Sequence, residues 1–242
     1  MERQTNPALI SGGDCLMKVA ALLSGGKDSL YATWRAMESL EVACFITIRS
    51  ANPESYMFHT PNIDLTRLQA AATGIPMVEW QTAGVEEIEL SDLRDAIQAA
   101  VITYGISGVV TGAIQSVYQA SRIQQICYDL NIWCFNPLWQ CDQEIYMKHL
   151  IDSGFSVIIA GVFSAPFDES WLGREINSQC IDEVRGLSAR WGISLTGEGG
   201  EYESMVIDAP FFSHRIRINC AETTYSNYNG RYLISEADLV KK

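Results

Sequence analysis

Apolar positions in the first half of the chain change period repeatedly. The run Val19-Ala20-Ala21-Leu22-Leu23 gives way to Leu30, Trp34 and Met37 at i, i+4 and i+7. VACFITI (42–48) precedes Leu65, Leu68 and Ala72; MVEW (77–80) precedes Leu93, Ile97, Val101 and Tyr104; SGVVT (107–111) precedes a helical stretch reaching Leu130; IWCF (132–135) closes the series. Short unbroken apolar runs read as buried strands, and spacing near 3.6 reads as helices. Ser91 stands where it can cap the third helix, while Gly74-Ile75-Pro76 and Gly105 stand where helices should stop. Strands that return through helical crossovers run parallel, so the pattern predicts an α/β fold with a doubly wound parallel sheet covered on both faces. Ligands bind such sheets at the carboxyl ends of the strands, which sends the loops at Ser24, Arg49, Gln81 and Thr111 to one site.

After Pro137 the rhythm changes. A helix over Glu144 to Ser153, the apolar run FSVIIAGV, a long helix through Ile176, Ile181, Val184 and Leu187, and β-like segments near the end predict a second, smaller α/β unit. The expected division is 17–136 for the first unit and 137–242 for the second. Residues 1–16 are expected to be a flexible extension or an over-long start, because Met17 opens directly onto the first strand.

Composition narrows the class. The chain has 242 residues, 48% hydrophobic and 19% charged, enough to bury one large core or two smaller ones. A formal net charge of -12 argues against an electrostatic grip on nucleic acid, which needs a basic surface to displace counterions. No apolar run approaches the roughly 18 residues of a membrane span, and the opening MERQTNPALISGGDCL is too interrupted for a signal peptide. A cytoplasmic location is expected. The seven cysteines are scattered without a CxxC pair and read as buried reduced thiols; three histidines with no ligand-like pair make a structural zinc an unfavoured reading.

Ser24-Gly25-Gly26-Lys27-Asp28-Ser29 interrupts the first strand–helix transition. A strand, a glycine-rich turn and a helix start make an anion site, since successive N–H groups point into the turn and the helix dipole adds positive charge. Ala21 and Asp28 exclude the GxxxxGK[ST] phosphate loop, and GxGxxG is absent there. A turn in which glycines merely supply unusual dihedrals remains an alternative.

SGGKDS after a first parallel strand is similar to the pyrophosphate loop of the N-type ATP pyrophosphatases, which split ATP between its α and β phosphates. Three further stretches, SYMFHTPNIDLTRLQAAATGIP (55–76), TGAIQSVYQASRIQQICYDL (111–130) with PLW (137–139), and GEGGEYESMVIDAP (197–210), together resemble the diphthine–ammonia ligase family. DESWLGREI (168–176) falls within the resemblance, which runs from about Met17 to Pro210. The chain departs from it at Gln124, where many members carry the acid of an Arg-Ile-Glu run.

The resemblance implies that ATP adenylates the carboxylate of diphthine on translation elongation factor 2, and that ammonia then displaces AMP to give diphthamide. ATP and Mg2+ are the implied cofactors, elongation factor 2 and ammonium the implied partners. Ser24, Gly25, Gly26, Lys27, Asp28 and Ser29 would hold pyrophosphate, with Lys27 offsetting its charge and Asp28 a candidate for Mg2+. Gly112, Gln115, Ser116 and Arg122 would meet the nucleotide; an ordinary capped helix start with a solvated Arg is the plain alternative. Glu198 and Glu201 are candidates for ammonium or substrate, against exposed carboxylates on a glycine turn. Tyr202 or Trp171 could face the trimethylammonium group of diphthine, and His59, Asn62, Tyr118 and Gln119 complete the substrate set, although a helix-capping Asn62 and a packed His59 are equally compatible. Two rival functions stay open at this stage: a pyrophosphate-loop tRNA-modifying enzyme, and a non-enzymatic ATP-binding sensor.

Overall fold

The structure, a computed structural model, describes residues 16–52, 61–85 and 88–242. All but the last residue of the expected 1–16 extension, and His59, lie outside the described residues. Five parallel strands, β1 (Lys18–Leu22), β2 (Glu41–Ser50), β3 (Met77–Thr82), β4 (Gly108–Val110) and β5 (Trp133–Phe135), form one sheet in the order β3-β2-β1-β4-β5. Between them run the helices α1 (Lys27–Ala36), α2 (Thr66–Thr73), α3 (Ile88–Tyr104) and α4 (Val117–Asp129). Val19 pairs with Val42 on one side and Gly108 on the other, so the winding reverses between β1 and β4 and opens a crevice at their carboxyl ends.

The punctuation works at the glycines: Gly74 (φ 73°) and Gly105 (φ 66°) end α2 and α3 in the left-handed conformation that a Cβ disfavours. Two expected helix boundaries shift. The third helix begins at Ile88, which puts Ser91 inside the first turn instead of at the cap. The helix expected to run through Ile176 begins later, because the Asn177 side chain accepts the N–H of Cys180 (2.9 Å) and so fixes the start of α6 (Ser178–Trp191).

The second sheet is antiparallel, in the order β7-β6-β9-β8, built from β6 (Ser156–Val162), β7 (Tyr202–Asp208), β8 (His214–Ser226) and β9 (Asn229–Lys241). Helix α5 (Gln143–Asp152) connects the sheets, its first turn capped by Asp142 accepting the N–H of Ile145 (2.9 Å). The core does not divide where the sheets do: one buried cluster joins Val19, Leu30 and Phe45 to Leu150, Val157, Ile159 and Phe212. A second cluster, with Ile46, Leu93, Ile97 and Val109, fills the other face of the parallel sheet. Among the described residues the cysteines are free thiols; burial pushes Cys44 up to about 12 and Cys180 up to about 11, so neither thiol ionises near neutrality. No helix among them is long and apolar enough to cross a membrane.

Candidate active site

The Ser24–Ser29 loop leaves β1 at the winding reversal and enters α1 with Gly26 at the cap position. Gly25 takes φ +88°, a conformation that favours glycine, and a Cβ there would lie 3.1 Å from Met205 Sδ, tight against the wall behind it. That wall is β7. The Gly25 carbonyl accepts the Val206 N–H (3.0 Å) and the Gln69 side-chain amide (2.9 Å), and Gln69 donates as well to the Val206 carbonyl (2.8 Å). The Ser204 hydroxyl accepts the Lys27 N–H (3.1 Å). Ser24 donates to the Ser29 hydroxyl (3.2 Å), which donates on to the Gly26 carbonyl (3.0 Å), closing the turn on itself.

Lys27 is only 2% exposed. Its ammonium donates to the Thr196 carbonyl (2.5 Å) and to Asp28 Oδ2 (2.9 Å), and lies 5.5 Å from the centre of the Tyr202 ring. Burying that charge without partners would be costly; here a carboxylate, a carbonyl and a ring face share it. Asp28 Oδ1 accepts the Tyr146 hydroxyl (2.8 Å). Burial and the Asp28 charge hold the Tyr146 phenol well above its ordinary range, and the same two causes act on Tyr202, so both remain hydroxyl donors.

The loop opens on a cavity of about 580 Å3, floored by Leu22, Ile46 and Ile48 and walled by Thr111–Ala113, by Thr196–Gly200 and by Tyr202–Ser204. Gly112 serves close packing: a Cβ there would stand 2.6 Å from the Ser29 nitrogen, so the chain after β4 lies directly on the first turn of α1. Ser116 caps α4, its hydroxyl accepting the Gln119 N–H (3.4 Å), and both residues line the cavity. The ends of β2 and β3 contribute less than expected. Arg49 is engaged by Asp64 and by Glu79 (3.4 Å), whose carboxyl hydrogen bonding to Arg67 holds below its ordinary value, and Gln81 is not among the lining residues.

The segment 198–204 forms the opposite wall. Glu198 Oε1 accepts three backbone N–H groups, from Ile114 (3.2 Å), Gln115 (2.9 Å) and Ser116 (2.9 Å), so its carboxylate fills the nest of amides in the loop that leads into α4. Glu201 Oε1 accepts the Ser194 N–H (2.7 Å), while its Oε2 is buried with no hydrogen-bond partner among the described residues. Glu201 lines a second cavity of about 490 Å3 that shares Ser116, Glu198 and Gly199 with the first. Glu203 lines the larger cavity, and its Oε2 is likewise buried without a partner among the described residues. Burial raises its carboxyl to about 7, against the opposing pull of Arg231.

Several residues read from sequence as ligand contacts have other occupations. Trp171 is 8% exposed and packs edge-on against Phe167, ring centres 5.0 Å apart, with the Arg174 guanidinium 4.7 Å over its own ring; it is a core residue and already holds a cation. Tyr202 is buried beside Lys27, and its hydroxyl donates to the Leu195 carbonyl (2.8 Å). Asn62 uses both ends of its amide on β9, donating to the Tyr232 carbonyl (2.9 Å) and accepting the Ile234 N–H (2.8 Å), so it anchors its loop. Arg122 stacks 5.1 Å from the centre of the Tyr118 ring, and neither is among the residues lining the cavity. Gln115 accepts from the Gln143 side chain (3.2 Å) at the second cavity. Sequence reading missed Gln69, Tyr146, Thr196 and Ser204 as supports of the loop. Glu203 and Ser204 were within the GEGGEYES stretch and Gln69 within the 55–76 stretch; Tyr146 and Thr196 carry no local signal.

Among the described residues no group of three or more carboxylate, histidine or cysteine side chains could hold a metal ion by itself. Mg2+ beside a polyphosphate needs fewer: one or two carboxylates complete a shell supplied mostly by phosphate and water. Asp28 fits that demand, lining the cavity with an oxygen on each of two donors and a further lone pair on each oxygen.

Residues 17–133 match the family described as the diphthamide synthase N-terminal domain, and residues 142–240 match its C-terminal domain. The chain is 31% identical over 226 residues to the diphthine–ammonia ligase of Rattus norvegicus, covering 85% of this chain and 84% of that one. It is 29% identical over 226 residues to the diphthine–ammonia ligase of Homo sapiens, with the same coverage. The Saccharomyces cerevisiae relative of that name is longer: 28% identity extends over 82% of this chain and 34% of that protein. With both halves matched and a relative above 30% identity along most of both lengths, the chain belongs to the diphthamide synthase family, an enzyme family of carbon–nitrogen ligases.

Proposed function

We propose that the chain catalyses the ATP-dependent amidation of diphthine on translation elongation factor 2, in the cytoplasm, through an acyl-adenylate. The observation that carries this reading is one cavity with two unlike walls: the Ser24–Ser29 loop on one side, and the carboxylate-bearing 198–204 segment on the other. Residues 17–136 are assigned to the nucleotide and residues 137–242 to the protein substrate.

In the first step a carboxylate oxygen of diphthine attacks the α-phosphorus, and pyrophosphate leaves. The departing anion is assigned to the Ser24–Ser29 turn and the positive end of α1, with Lys27 to offset its growing charge; the turn's opening onto the cavity supports this. Asp28 would hold Mg2+, which when bound screens the converging negative charges. Gln119 and Ser116 are assigned to the nucleotide from the α4 side. In the second step ammonia attacks the acyl carbon and AMP leaves. Glu201, with its unpartnered buried oxygen at the adjoining cavity, is assigned to holding ammonium before the reaction, and Glu198 fixes the 198–204 turn onto the chain entering α4.

The test combines purified protein, ATP, ammonium and elongation factor 2 bearing diphthine. The expected result is AMP with pyrophosphate, together with the mass change of hydroxyl-to-amide exchange on the intact factor. ADP with phosphate as the main products would overturn the reading, and so would ATP binding with no turnover, the behaviour of a sensor.

A further inference from the structure

Resting on the amidation reading above, we infer that Glu203 is the proton acceptor that turns bound ammonium into the attacking ammonia. Of the three carboxylates in the 198–203 segment, Glu198 has an oxygen occupied by three backbone N–H groups, and Glu201 is bonded to the Ser194 amide and faces the second cavity. Glu203 alone both lines the cavity that the Ser24–Ser29 loop opens on and leaves an oxygen buried without a partner among the described residues. A buried unpartnered carboxylate oxygen is an unfavourable arrangement that a donor from a ligand would relieve, and ammonium carries four donors.

The environment suits that chemistry. The residue opposite Glu203 on β6 is Gly161, which brings no charge; Arg231 of β9 draws the carboxyl down, and burial outweighs it. The other charged groups around the cavity are Lys27, Asp28 and Glu198. With its value raised to about 7, Glu203 is still ionised in good part at neutral pH yet is a stronger base than an ordinary carboxylate. The step balances. The Glu203 carboxylate takes one proton from ammonium; the freed ammonia forms the C–N bond; the C–O bond to AMP breaks with its electron pair on the phosphate. The extra proton on nitrogen leaves with that phosphate, and Glu203 returns its proton to water.

The experiment follows amidation against pH at subsaturating total ammonium, beside substrate-dependent exchange of labelled pyrophosphate into ATP. For the wild type we expect a rate that rises toward pH 7 and then levels, since above that point Glu203 is ionised while nearly all the ammonium is still protonated. In Glu203→Gln we expect amidation at pH 7 to fall about a hundredfold and to climb about tenfold per pH unit thereafter, following free ammonia. Exchange should fall far less than amidation. Hydroxylamine, already neutral at pH 7, should react with the variant at close to the wild-type rate. Equal loss of exchange and amidation, an equally slow hydroxylamine reaction, or an unchanged ammonium profile would overturn the inference. A wild-type rate that keeps climbing tenfold per unit past pH 7 would overturn it without any variant. Failure of the wild type to make AMP and pyrophosphate at all would instead remove the amidation reading itself.

Discussion

At residues 24–29 the polar side chains answer one another: Ser24 with Ser29, Lys27 with Asp28 and Thr196, Asp28 with Tyr146. Across the cavity, at residues 198–203, one carboxylate takes three amides while two others each keep a buried oxygen without a partner among the described residues. That mutual pairing fixes the geometry of the first wall, which the proposed role toward a leaving anion needs if no reorganisation is to accompany bond breaking. The second wall carries unspent hydrogen-bonding capacity, which is what a site for a small donor-rich nucleophile requires. Preorganisation and unsatisfied polarity thus divide between the two walls as the two proposed chemical steps do.

The largest expected effect tests the first wall. Lys27→Ala should slow pyrophosphate exchange by about a thousandfold, the scale of losing one donor to developing charge; a change under tenfold would place the lysine among structural supports only. Next comes a stability measurement on the second wall. A carboxyl whose native value, about 7, stands above its ordinary 4.5 binds more protons folded than unfolded between those values, so stability falls as pH rises through that window. We expect the loss to approach about 3 kcal/mol by pH 8, and Glu203→Gln to flatten it, read as melting temperature at pH 5 and pH 8. A wild-type curve equally flat would mean that Glu203 is not desolvated.

A smaller effect is expected from Glu198→Gln, which keeps the shape but weakens three charge-assisted bonds. Unfolding free energy should fall by about 2 kcal/mol, measured by urea titration, with amidation reduced through a looser turn. The smallest should come from Trp171→Phe, a core substitution costing about 1 kcal/mol with no change in KM for the elongation factor. A raised KM would return the ring to the substrate side and undo its assignment to the core.

How far the sequence reached follows from the range of each contact. The alternation of strand and helix, and the stops at Gly74 and Gly105, are decided within a few residues, and the periodicity carries them. The Ser24–Ser29 turn is local too, so its strand–glycine–helix setting was readable. Its supports were not: Ser204 reaches Lys27 and Tyr146 reaches Asp28 across more than a hundred residues, and neither side chain differs in sequence from an ordinary strand serine or helix tyrosine. Ser91 looked like a cap because it precedes an apolar face, yet the helix had already begun at Ile88. In the sequence Trp171 is a candidate ring for the trimethylammonium of diphthine because an aromatic face suits a cation, and only packing against Phe167 reveals it as core. Glu203 sits in a strand where alternation would send it to water; its burial is set by tertiary packing that no neighbouring residue announces.

The hydrogen bond from the Val206 N–H to the Gly25 carbonyl joins the loop to a strand some 180 residues later in the chain. A ligand that fixes Gly25 therefore holds β7 in place as well, and the free energy of binding is shared by the hydrogen bonds of the antiparallel sheet. Amide exchange at Val206 should slow when ATP binds, although Val206 is not among the residues lining the cavity. For the same reason a fragment ending near residue 136 would present the glycines without the wall that shapes them, and complementation by the separate second half should require both pieces to fold together.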